Sequence, residues 1–236
     1  MALPKLNTAT YELDLPSTGE KLKYRPWLVK EQKILLMAQE SEDEKEMERA
    51  FADIVKECTF DEIDPYIHPM FDLEYIFLRL RGKSVGDKIQ LNLTCPDDEE
   101  TKVNVEINLE EVGVQMKEEH TNEISLTDDI SIHMRYPNLK DAMKTSDEGE
   151  GAVAQVFNTM MSCVAEIHHG DVIHQRVDIS EKELKEFLES MNQDDFDKMS
   201  NFFDTMPKLQ HIIKVKNPKT KKMNEIPIEG LASFFV

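Results

Sequence analysis

Glycine is scarce, with only 8 in 236 residues, and none of them falls in a Gly-rich loop of the kind that lets backbone approach a phosphate closely. No Gly-x-Ser-x-Gly elbow is present, so the sequence offers no support for a nucleotide enzyme or an α/β-hydrolase. Cysteine is also sparse. Cys58, Cys95 and Cys163 lie far apart and are odd in number, which closes no disulfide framework and suits a reducing cytoplasm. Cys95-Pro96 at a strand turn has the look of a zinc-ribbon knuckle, but a structural zinc site needs four ligands, usually two close Cys pairs, and Cys95 has no near partner. Long apolar runs are missing as well. Met1-Ala2-Leu3-Pro4-Lys5 leads into no hydrophobic stretch, so neither a signal peptide nor a membrane span is expected. Basic residues are few, 28 against 47 acidic ones, for a formal charge of -19. That deficit argues against general affinity for nucleic acid or anionic membrane, which depends on clustered Lys and Arg. It suits a basic protein partner, or serves solubility alone.

What is present begins with a hairpin. Thr10 to Leu15 alternates Tyr11, Leu13 and Leu15 against Thr10, Glu12 and Asp14, and after a Pro-Ser-Thr-Gly turn Lys21 to Tyr24 alternates again. Pro26 disfavours helix at Arg25 yet fits a first helical turn, so strand passes into helix almost at once, with Trp27 at the corner. Leu28 to Gln39 is rich in helix formers.

The whole string LPKLNTATYELDLPSTGEKLKYRPWLVKEQKILLMAQES, residues 3–41, resembles the baseplate hub subunit family of T-even-like contractile-tailed bacteriophages. The resemblance is sharp over the first fifth of the chain and diffuse beyond it. It implies a non-enzymatic role in baseplate and tail assembly through contacts with other baseplate hub or tape-measure proteins. The location it implies is the virion, or the host cytoplasm during assembly. No catalytic residue comes with it.

Further along, Glu42 to Glu48 is an acidic run ahead of an amphipathic helix carrying Met47, Phe51, Ile54 and Val55, where negative charge complements the helix dipole. Leu73 to Arg81 predicts another helix, whose Arg79 and Arg81 serve its C-terminus or a neighbouring subunit. Asp87 to Thr94 and Lys102 to Leu109 alternate around an acidic Cys95-Pro-Asp-Asp-Glu-Glu tip, and Ile130 to Tyr136 adds a strand. Thr145 to Gly151 is the best linker candidate. A helix is expected over Ala152 to Ile167, then a short strand at Val172 to Val177. Ser180 and Glu183 have capping-box spacing. Two amphipathic helices up to Met206 form a helical hairpin, and Gln210 to Lys216 with Glu225 to Ile228 form a final β-hairpin. The turns at Cys95-Pro96 and Asn217-Pro218 echo one another, which chance recurrence of hairpin chemistry explains.

The expected fold is therefore α+β: small antiparallel hairpins with amphipathic helices and a helical hairpin in the C-terminal half. The expected division is residues 1–144, a linker at 145–151, and residues 152–236. Candidate partner-binding residues are Trp27 at its corner and the apolar terminus Phe234, Phe235 and Val236, which either dock on their own domain or engage another chain. No cofactor, metal or catalytic residue is assigned. A homo-oligomer is left open. The competing readings are a transient assembly chaperone for a hub or tape-measure protein, an acidic nucleic-acid mimic that inhibits an enzyme, and a metal hydrolase built on His168, His169, Asp171 and His174.

Overall fold

The computed structural model describes residues 6–147 and 151–234. In chain order the elements are β1 (Tyr11–Asp14), β2 (Lys21–Tyr24), α1 (Val29–Ser41), α2 (Glu44–Cys58), α3 (Met70–Val85), β3 (Lys88–Thr94), β4 (Lys102–Asn108), β5 (Gly113–Gln115), β6 (Glu123–Ser125), β7 (Ile130–Met134), α4 (Leu139–Asp147), α5 (Ala152–Cys163), β8 (Val164–His169), β9 (Val172–Gln175), α6 (Glu181–Glu189), α7 (Gln193–Thr205), β10 (Lys208–Lys216) and β11 (Met223–Glu229). All the sheets are antiparallel and have two to four strands. The fold is α+β.

The chain folds into two compact units. One comprises residues 1–115 and 208–236, the other residues 116–207. This division differs from the one drawn at 145–151. That acidic, Gly-containing stretch falls within the second unit; α4 already occupies its first part, and residues 148–150 lie outside the described ones. The reason is long-range pairing: β10 joins β5 through Leu209 opposite Val114, which returns the C-terminal hairpin to the first unit.

Helix α3 is the centre of the first unit. Phe71, Leu73, Ile76, Phe77, Leu78 and Leu80 are buried on several sides of it, the pattern of a helix surrounded by protein. Leu78 shares one core with Ile89, Leu91, Ile107, Leu109, Val112, Leu209, Ile213, Ile228 and Phe234. Arg79 sits mid-helix and forks onto the Leu109 and Val112 carbonyls, both at 2.7 Å. Its charge therefore serves an internal bond, not the helix terminus.

Three hairpin turns of this unit share one construction. Leu15-Pro16, Cys95-Pro96 and Asn217-Pro218 each open a turn. The residue four places on donates its N–H back to the first carbonyl, Gly19 to Leu15 at 2.7 Å, Glu99 to Cys95 at 2.9 Å and Lys221 to Asn217 at 2.9 Å. Those three residues all have positive φ, at 72°, 55° and 64°, a conformation that favours glycine, although only the first is one. The echo seen in sequence between two turns is thus a three-fold recurrence of the same local chemistry.

In the second unit, β6-β7-β8-β9 form a sheet whose Ile124, Ile132 and Ile167 share a core with Met160 and Cys163 of α5, Leu184 and Leu188 of α6, and Met199 and Phe202 of α7. The capping box at Ser180 is formed, with the Glu183 N–H donated to Ser180 Oγ at 3.2 Å and the Ser180 N–H to Glu183 at 3.0 Å. Helix α5 stops at Cys163 rather than continuing to Ile167, because Val164 to His169 pair with β7. His168 and His169 are therefore strand residues, not a helix C-terminus.

Candidate protein-interaction surface

The junction of β2 and α1 is built from below. Glu31 is 1% exposed and takes Arg25 Nη2 at 2.8 Å, the Leu28 N–H at 2.7 Å and Lys30 Nζ at 3.1 Å. The Leu28 bond is the Glu half of a capping box; Leu28 has no side-chain acceptor to return it. Burial alone would push the Glu31 carboxyl up, but the bonds from Arg25, Leu28 and Lys30 outweigh it and hold the group below the usual carboxylate range. Trp27 fixes the other side of the corner. Its backbone N–H goes to Ser84 Oγ at 2.9 Å, its indole N–H to Gln32 at 3.0 Å, and its ring packs on Phe77 with centroids 5.4 Å apart.

That anchoring leaves the far side of α1 open. Only Glu31 and Ala38 of the helix are buried. Val29 is 85% exposed, Leu36 50% and Met37 59%. Together with Lys33 and Glu40 they recur at helical spacing on one outward face. Ile34 and Leu28 are partly exposed beside it. Leu28, Leu35 and Leu36 recur over two turns of the sequence, yet Leu28 and Leu36 are exposed. The unbroken run Ile34-Leu35-Leu36-Met37 carried the missed signal, since apolar side chains on every side cannot all be covered by one neighbouring helix.

The predicted aromatic anchors are placed differently. Trp27 is 8% exposed and Phe234 1%, so both rings are held within the first unit, and the Leu231 N–H bonds Glu74 at 3.1 Å beside the latter. Phe235 and Val236 lie outside the described residues.

The histidine group does not converge. β8 and β9 pair His168 with Ile173 and Ile167 with His174, so His168 and His174 project from opposite faces of the sheet. His168 instead bonds Glu166 at 2.7 Å and stacks on His133 at 4.1 Å. Among the described residues, no three His, Cys, Asp or Glu side chains come together as a metal site. At the paired turns, where a zinc ribbon would hold metal, the link is polar: Asn217 Nδ2 donates to Asp97 at 2.8 Å, Thr220 Oγ1 bonds the same carboxylate, and Lys219 Nζ reaches Glu100 at 2.9 Å.

Compared with known protein families, the sequence profile described as T4 bacteriophage base plate protein matches residues 8–236. The chain belongs to that family. Membership makes it a phage baseplate structural protein. No curated protein and no solved structure matches it. For a baseplate protein, a rigidly anchored helix with an uncovered apolar face is the feature suited to contact with other subunits. No helix among the described residues is long and apolar enough to cross a membrane.

Proposed function

We propose that this baseplate protein is a component of the tail hub and acts in assembly purely through protein contacts, with the outward face of α1 as a principal contact surface. The observation that carries the reading is the combination of family membership across residues 8–236 with exposed Val29, Leu36 and Met37 on a helix pinned by buried Glu31. A second reading, a transient chaperone for a hub or tape-measure protein, draws on the net charge of -19, which suits holding a basic client and then releasing it.

Quantitative mass spectrometry of purified virions beside infected-cell lysate separates the two. A fixed ratio of this chain to other hub proteins in mature particles supports the structural subunit. Abundance in lysate with absence from particles supports the chaperone. A fixed ratio to the outer baseplate but not to the hub would overturn the hub assignment.

A further inference from the structure

The outward face of α1 ends in charges that the fold itself does not explain. Glu40 lies in the last turn of the helix, and Glu42 is its C-cap with φ 55°. Both positions are electrostatically adverse, because the C-terminal end of a helix dipole is negative and favours cations. The last turn of α1 contains no basic residue, and among the described residues neither Glu40 nor Glu42 finds an ion-pair or hydrogen-bond partner for its side chain. The left-handed conformation of Glu42 adds a local cost that glycine or asparagine would avoid. The neighbouring Glu44 and Glu46 differ, since they occupy the first turn of α2, where the dipole favours them. Two carboxylates are thus kept at the one helix end that disfavours them, and Glu40 lies one turn from exposed Leu36 and Met37. Local rules of this kind are broken at sites where another requirement is being met.

We infer that the α1 face receives an amphipathic helix of another protein, whose apolar stripe covers Val29, Leu36 and Met37 and whose Lys or Arg side chains meet Glu40 and Glu42. This rests on the reading of α1 as a contact surface. Helix-on-helix docking reads out anchors at helical spacing, and the charges at the edge set partner and direction. A second copy of this chain fits poorly. Each copy carries a net charge of -19, so two copies repel one another before their α1 faces can meet.

The test places a photo-crosslinking residue, Leu36→benzoylphenylalanine, in the full-length chain during infection, with Met223→benzoylphenylalanine on exposed β11 as control. The crosslinked segment is then sequenced by mass spectrometry. The expected product is an amphipathic helical segment bearing Lys or Arg beside its apolar stripe. Adding Glu40→Lys and Glu42→Lys should cut the yield about tenfold, the effect of two edge charges. The same pair of changes should raise the Tm of the free protein by about 2 °C, because the helix end is relieved. Glu44→Lys with Glu46→Lys alters net charge equally and should lower Tm instead.

An acidic or uncharged segment overturns the inference, as does a crosslink to a second copy of this chain. Yield at position 36 no greater than at 223, or unaffected by Glu40→Lys and Glu42→Lys, overturns it too. A crosslink to a basic amphipathic helix, with this chain itself absent from virions, would sustain this inference while removing the structural-subunit reading. Presence in the hub without the crosslink would do the reverse.

Discussion

Replacing Glu31 by Gln removes one charge from a buried contact that joins Arg25, Leu28 and Lys30 while preserving shape. The carboxylate is 2% exposed at the side chain, and Arg25 opposite it is 12% exposed. Removing one partner of a buried pair costs about 3–5 kcal/mol, because the other charge stays buried. Here Glu57 stands 3.7 Å from Arg25 and compensates in part, so the lower end, about 3 kcal/mol, is expected. For a folding unit of this size that is a fall in Tm of about 10 °C, read by differential scanning calorimetry at pH 7. The pH dependence is the sharper part. A carboxyl held below its ordinary value contributes stability above the unfolded pKa of about 4.3, and loses it as pH falls through the depressed folded value. The gap between wild type and Glu31→Gln should therefore close on acidification below that point. A loss under about 2 °C, or a gap that stays constant with pH, would refute the account of Glu31 as the staple of the β2–α1 corner.

Asn217→Ala should destabilise the first unit by about 1–3 kcal/mol by removing its three part-buried hydrogen bonds to Asp97, Lys219 and Thr220; faster hydrogen exchange at Lys219 and Thr220, whose N–H groups bond Asn217 Oδ1 at 2.8 and 3.2 Å, checks the cause. Thr220 and Asn217 hold the Asp97 carboxyl below the usual range, so the tie between the two turns should weaken as pH drops through that lowered value and persist above it. Ser180→Ala should cost the second unit about 1 kcal/mol by removing the α6 cap, seen as a lower urea midpoint with unchanged slope. Burial pushes the Cys58 thiol up to about 11 and that of Cys163 up to about 12, and all three thiols are buried. Ellman's reagent at pH 8 should accordingly find no reactive thiol in native protein and three in urea; rapid labelling of native protein would contradict the burial.

Local chemistry was legible in the sequence. The β1–β2 and β3–β4 hairpins, the Ser180–Glu183 cap and helices α6 and α7 stand where alternation, apolar spacing and capping put them, because each depends on residues a few positions apart; Pro26 instead lies ahead of the first helix, which starts at Val29, and not in its first turn. Short-range signals failed where two conformations compete over one apolar stretch. Val164 to Ile167 extends the apolar pattern of α5, and only pairing with β7 makes it a strand.

The tertiary structure alone decided which apolar surface is hidden. Trp27 and Phe234 have the composition of interface anchors, yet Phe77 and the α3 core cover them, whereas Leu36 and Met37 face solvent. Whether a hydrophobic side chain is buried depends on what lies opposite it in space, and nothing within one turn of helix encodes that. The same holds for unit membership: β10 and β11 follow the second unit in sequence but complete the first, because Leu209 meets Val114 across 95 positions of chain. The sequence by itself determined the turns, caps, charge and family likeness of this protein. Long-range pairing decided its division into units and left the α1 face open.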